Sequence, residues 1–167
     1  LAMHELDVVL SDSPVDPTIK IRAYAHLLGE CGVLFAATPR IAKRLKGKFP
    51  QCLTGAPILL PTDNTALRRN LNFWFETHDL RPIVVGEFED YALLRAFGHG
   101  GTGIFPVPSV FKQNVQREKS VRIIGSTDEV RSQFYAISAE RKLQHPAVVA
   151  ICNAAKRDLF GGHRKAA

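Results

Sequence analysis

From residue 57 onward, short apolar runs alternate with amphipathic segments, and this order constrains the fold more than any other feature. APILLP, IVVGEF and GIFPVP read as buried strands. Between the first two, Thr62-Asp63-Asn64-Thr65 offers capping side chains for a helix over 64–79. Leu67, Leu71, Trp74, Phe75 and His78 share one stripe of it, with Arg68, Arg69, Asn72 and Glu76 facing elsewhere. A second helix is expected over Asp90–Phe97. Strands that alternate with helices imply βαβ units, hence an α/β fold with mostly parallel sheets.

The end of that pattern is GIFPVP, a connector (Val110–Glu118), VRIIG and QFYAISAE. The start of the chain repeats it as LDVVLS, a connector, IRAYAHLL and VLFAAT. LDVVLS reads as a strand covered on both faces. DSPVDP breaks the chain. Ile19, Ile21, Ala23, Ala25 and Leu27 alternate with polar residues as a half-exposed strand, and Gly29–Gly32 read as a turn. The strand–helix–strand–helix that precedes GIFPVP has no counterpart at the front. The expectation is therefore two lobes: residues 1–38 with 131–162, and residues 39–130. The first is incomplete at its amino end and leaves LDVVLS with an open edge. A final helix opens at His145-Pro146 and carries Val148, Ile151, Cys152, Ala155 and Leu159 on its apolar face. Residues 163–167 read as a frayed, tag-like tail.

Four glycines lie within AFGHGGTGIF, at 98, 100, 101 and 103. A phosphate-cradling loop needs strand, glycines, then helix, so that helix N–H groups point at the anion. Here the order is helix, glycines, strand. That matches a helix C-terminus followed by a tight turn. His99 reads as an exposed turn residue. The densest basic run, RIAKRLKGK, carries Arg40, Lys43, Arg44, Lys46 and Lys48. With no aromatic residue interleaved, it fits a solvated helix face over 40–49 better than a phosphate-binding helix, although net charge is +6.

Cys31, Cys52 and Cys152 are far apart and odd in number, as buried thiols in a reducing cytoplasm would be. No apolar run approaches the roughly 20 residues of a membrane span. No GxSxG, HExxH or Cys/His signature marks an enzyme, and nothing calls for a cofactor.

Ligands of parallel α/β sheets sit outside the carboxyl ends of the strands, and in a two-lobed protein those ends face the cleft. The rule selects Asp12 and Ser13, Thr62, Asp63 and Asn64, Glu87 and Phe88 with Glu89, and Phe105 with Pro106. They suit a small polar ligand or a hard cation. Glu89 and Asp90 also suit the start of the following helix. For the Glu87–Asp90 carboxylates, both roles stay open.

LDVVLSD, GECGVLFAATP, GEFEDYALLRAFGHGGTGIFPVP and AISAERKLQHPAVVAICN together resemble the effector domain of LysR-type transcriptional regulators over residues 1–160. GECGV, GEFED and AERKLQHPAV are similar to the branch that activates a sodium/proton antiporter gene. The resemblance implies a two-lobed, periplasmic-binding-protein-like (type 2) fold. It implies a cytoplasmic dimer or tetramer that meets DNA only through an N-terminal helix-turn-helix domain not contained in these residues. It implies a sodium response, for which Asp12 and Glu87 are the economical oxygen donors. Pairing would use Arg68, Asn72, Glu76, Val84 and Val85 from helix 64–79 and IVVGEF. The alternative is a solute-binding protein of a transporter. An enzyme on the same lobes is a third reading.

Overall fold

A computed structural model describes residues 6–14, 23–139 and 145–160. The expectations for Ile19 and Ile21, for most of AERK and for the 163–167 tail lie outside them. The chain divides into two compact units, residues 1–31 with 132–167, and residues 32–131. The elements run β1 (Val9–Ser11), β2 (Tyr24–Ala37), α1 (Pro39–Ala42), β3 (Pro57–Pro61), α2 (Ala66–Thr77) and β4 (Ile83–Phe88). They continue with α3 (Tyr91–His99), β5 (Phe105–Pro108), α4 (Lys112–Arg117), β6 (Arg122–Ser138) and α5 (Pro146–Phe160).

Two strands are far longer than their sequences suggest. IRAYAHLL and VLFAAT are not separated by a turn: β2 is one strand of 14 residues. VRIIG and QFYAISAE likewise merge into the 17 residues of β6. Gly29 and Gly32 are present because neighbours come close. A Cβ on Gly29 would stand 2.3 Å from the Phe160 ring, and one on Gly32 would stand 2.6 Å from the Thr127 carbonyl oxygen.

The second unit is built in three layers. β3 and β4 pair in parallel, and Ile58 bridges Ile104 in parallel, but β2 and β5 are antiparallel. The sheets are thus mixed rather than mostly parallel. Side chains alternate to opposite faces of a strand, and here both faces are covered. Val33, Phe35 and Ala37 join Ile58, Leu60, Leu71, Trp74 and Phe75 on one side. Leu34 and Ala36 join Leu59, Leu94, Phe105 and Val115 on the other. Phe35 stacks on Trp74 with ring centroids 5.5 Å apart. The basic run forms only the four-residue α1 and then turns, since Gly47 adopts φ of 84°.

In the first unit β1 lies antiparallel on β6, pairing Leu10 with Ala136. LDVVLS is not covered on both faces: only three residues form the strand and Leu10 is 59% exposed. The alternation in β2 faces the other way from its hydropathy. Leu28 is buried and Leu27 exposed, and the His26 ring reaches Ser138 Oγ at 3.2 Å. α5 buries Val148 and Cys152 but leaves Ile151 and Leu159 exposed.

α3 begins where Asp90 accepts a hydrogen bond from the Leu93 N–H at 2.9 Å. That gives Asp90 the capping role. Asp90→Ala should lower stability by about 1 kcal/mol, read from the urea midpoint, whereas Glu89→Ala should leave it unchanged.

Candidate functional site

The candidate site is the carboxyl end of β3 and β4, where a buried arginine gathers the polar loops. Thr65 caps α2, its Oγ1 accepting from the Arg68 N–H at 3.2 Å. The cap places Arg68 one turn into the helix, on the same face as Leu71 and Phe75. Arg68 is only 7% exposed. Its Nη1 donates to the Pro61 carbonyl at 2.7 Å and its Nε to Asn72 Oδ1 at 3.0 Å. Its Nη2 lies 2.7 Å from Glu87 Oε1 and 3.2 Å from Asp63 Oδ1. One guanidinium thus ties the last residue of β3, the loop after it and the end of β4 to α2. Its planar fork permits this, and a lysine's single ammonium would not. Beside it Thr62 Oγ1 donates to Asn64 Oδ1 at 2.7 Å.

Thr62, Asp63, Asn64 and Glu87 are therefore brought together at the predicted end of the strands. Phe88, Phe105 and Pro106 are not part of this polar group. Phe88 packs on Phe97 with centroids 5.1 Å apart. Phe105 is fully buried against Gly98 and His99, and it starts β5 rather than ending it. Pro106 is also buried, with its carbonyl 3.5 Å from the Tyr91 hydroxyl. All three were expected to meet a ligand; Phe105 and Pro106 are buried instead, and the half-buried Phe88 packs against the core. Asp12 and Ser13 belong to the first unit, where Ser13 Oγ lies 3.3 Å from Asp12 Oδ1.

Arg68 also corrects the expected pairing surface, because a buried arginine offers nothing to a second chain. Asn72 is half-buried and occupied by Arg68. Glu76, Val84 and Val85 are exposed, with Ile83 next to them. Arg68 was expected at a pairing surface, and its place in the polar group at the end of β3 and β4 is what the sequence did not reveal. The signal was available, since positions 68, 71 and 75 share a helical face, but charge was read as exposure. His99 is not an exposed turn residue either. It ends α3, with Nδ1 3.1 Å from Ser120 Oγ and Nε2 3.1 Å from Glu118 Oε2.

A hollow of about 100 Å³ is lined by Asn70, Phe73, Trp74, Thr77 and Glu129. The His78 ring, 2.9 Å from Glu129, holds that carboxyl below the usual carboxylate range. Burial pushes the Cys52 thiol up, away from a reactive thiolate. Among the described residues no group of three or more His, Cys, Asp or Glu could hold a metal ion.

The LysR substrate binding domain model matches residues 1–159. The chain belongs to this family. It is 38% identical over 160 residues to the transcriptional activator protein NhaR of Escherichia coli, covering 96% of this chain and 52% of that protein. NhaR of Shigella flexneri matches equally. This LysR domain spans about half the length of those curated relatives. Its fold is shared with the effector domain of AmpR of Pseudomonas aeruginosa, at a TM-score of 0.70 and 15% identity, covering 98% of this chain and 77% of that one. It is also shared with DarR of Vibrio fischeri, solved in complex with DNA, at a TM-score of 0.62 and 17% identity, covering 90% and 50%. The α/β, periplasmic-binding-protein-like type 2 class is therefore that of LysR regulatory domains, and the relatives are transcriptional regulators, not enzymes. No described helix is long and apolar enough to cross a membrane.

Proposed function

We propose that this chain is the effector-sensing and pairing domain of a DNA-binding transcriptional regulator acting in the cytoplasm, and that its signal is sodium or a small polar molecule. The observation that carries this reading is the 38% identity to NhaR across 96% of the chain. Duplex DNA is met through a separate domain. A dimer or tetramer is supported by β4, whose outer edge is unpaired among the described residues and which exposes Ile83, Val84 and Val85 in succession. An apolar open edge of this kind is a site for strand or surface pairing.

The polar group around Arg68 supports a ligand at the carboxyl end of β3 and β4. Its chemistry sharpens the sodium question. The Glu87 carboxylate is already neutralised by a guanidinium 2.7 Å away, so a cation there competes with Arg68. A small hydroxylated or amide-bearing ligand does not, and it finds the Thr62 hydroxyl and the Asn64 side chain in place. The proposed sodium donors are Glu87 and, in the first unit, Asp12. The test is an amide chemical-shift titration with sodium against potassium at constant ionic strength. Sodium should shift residues 62–65 and 87–88 while potassium does not, and Glu87→Gln and Asp12→Asn should each weaken the response several-fold. A sodium response unchanged in both variants rules these donors out and leaves the small polar ligand.

A further inference from the structure

Between Glu30 and Asp63 the chain contains no carboxylate, yet it carries Arg40, Lys43, Arg44, Lys46 and Lys48. The sequence alone suggested a solvated helix face. The fold makes this segment something different. Ile41 is buried, and Leu45 and Phe49 pack against the core beneath it. Phe49 stacks 6.0 Å from Trp74 and lies so close to Gly125 that a Cβ there would stand 2.2 Å from its ring. Three apolar anchors at four-residue intervals thus hold the inner side of the segment. All five basic residues are exposed. The loop is tied at its base: Arg40 Nη2 donates to the Gly101 carbonyl at 3.3 Å, from a glycine at φ of 80°. Among the described residues Lys43, Arg44, Lys46 and Lys48 make no ion pair.

We infer that this anchored basic loop is a contact for the phosphate backbone of duplex DNA, recognising charge and not base sequence. Several unpaired cations held on a fixed scaffold suit a phosphate array, since each neutralised phosphate releases condensed counterions. The loop offers no exposed aromatic or large apolar side chain, which a protein partner's hot spot would need. It also offers no planar stack for a single strand. The choice of DNA among polyanions rests on the regulator reading above, in which the whole protein binds duplex DNA through another domain.

The experiment uses the 167-residue chain and a fluorescein-labelled 20-base-pair duplex of random sequence, with anisotropy read from 20 to 150 mM salt. Wild type should bind at low salt with a steep salt dependence. In the variant K43Q/R44Q/K46Q/K48Q the slope of log K against log salt should fall by about 2–4, at ~0.9 per phosphate contact. Its affinity at 50 mM salt should fall at least tenfold. A control with the same charge removed elsewhere, K112Q/R117Q/K119Q/R122Q, should lose less than threefold. If the first variant does not fold by circular dichroism, K46Q/K48Q on the Gly47 turn should show about half the change in slope. Equal losses in variant and control, absence of duplex binding by wild type, or tighter binding of polyglutamate than of duplex each overturn the inference. The sodium titration contains no DNA, so failure of the effector reading shows up separately.

Discussion

Replacing Arg68 with methionine lowers the unfolding free energy by about 2–3 kcal/mol, the weight coming from the buried end of its contacts. The Pro61 carbonyl loses its 2.7 Å donor inside the protein, and a stranded buried acceptor costs about 1–3 kcal/mol. The lost ion pairs add less. Side chains of Glu87 and Asp63 are 45% and 76% exposed, so water screens them once the guanidinium is gone. Methionine retains the apolar stem's packing, so little cavity term enters. The neighbouring Arg69 donates to the Asn64 carbonyl at 3.0 Å from an exposed position, and Arg69→Met should cost less than about 0.5 kcal/mol. The urea midpoints of the two variants separate these cases. Arg68→Lys should recover less than half of the loss, because one ammonium cannot reach four acceptors. If Arg68→Met unfolds at the wild-type midpoint, the hub is not holding the loops.

Phe105→Ala should cost about 3–5 kcal/mol, the usual range for emptying a fully buried aromatic site. The same mutation should leave any effector response of the surviving folded protein in place, because the ring lies in the core beside Leu94 and Val107. The glycine that faces it is the more informative partner. A Cβ on Gly98 would stand 2.2 Å from Phe105 Cδ1. Two effects oppose each other in Gly98→Ala. Alanine favours the helix interior by about 1 kcal/mol, while overpacking a rigid core costs about 1–3 kcal/mol. The clash is with the ring of a side chain at 0% exposure, which has nowhere to move, so the net result is a loss of roughly 1–2 kcal/mol. In the double variant with Phe105→Leu, Gly98→Ala should become neutral or stabilising. A double-mutant cycle in thermal unfolding reads that coupling, and additive effects would dispose of the contact.

The glycine stretch also shows how far sequence reasoning reached. Helix, glycines, then strand was legible from order alone, and it removed the phosphate-loop reading. The reason for Gly98 was not legible, since it depends on a ring seven residues later folding back onto α3. The strand boundaries failed for a similar reason. Glycine within GECG looks like a turn, because glycine is permissive of turns. Only the close approach of Phe160 to Gly29 and of Thr127 to Gly32 shows that it keeps a long strand continuous. Leu27 and Leu28 are adjacent and equally apolar, so composition cannot say which one points inward. The packing under β2 decides that.

What the sequence determined by itself is the α/β class, the order of strands and helices, the stretches that offer helix-capping side chains, and the family resemblance. These depend on local periodicity and on residue chemistry within a few positions, which the chain carries wherever it folds. Which carboxylates share a counter-ion was decided only in three dimensions, and so was the fate of Phe105 and of the basic segment. Arg68 joins Pro61, Asp63, Asn72 and Glu87, and β4 must first lie beside β3 for Glu87 to arrive. The five basic residues between 40 and 48 are exposed while Ile41, Leu45 and Phe49 find a core to enter. Contacts between elements distant in the chain select the role of each side chain, and no local pattern records them.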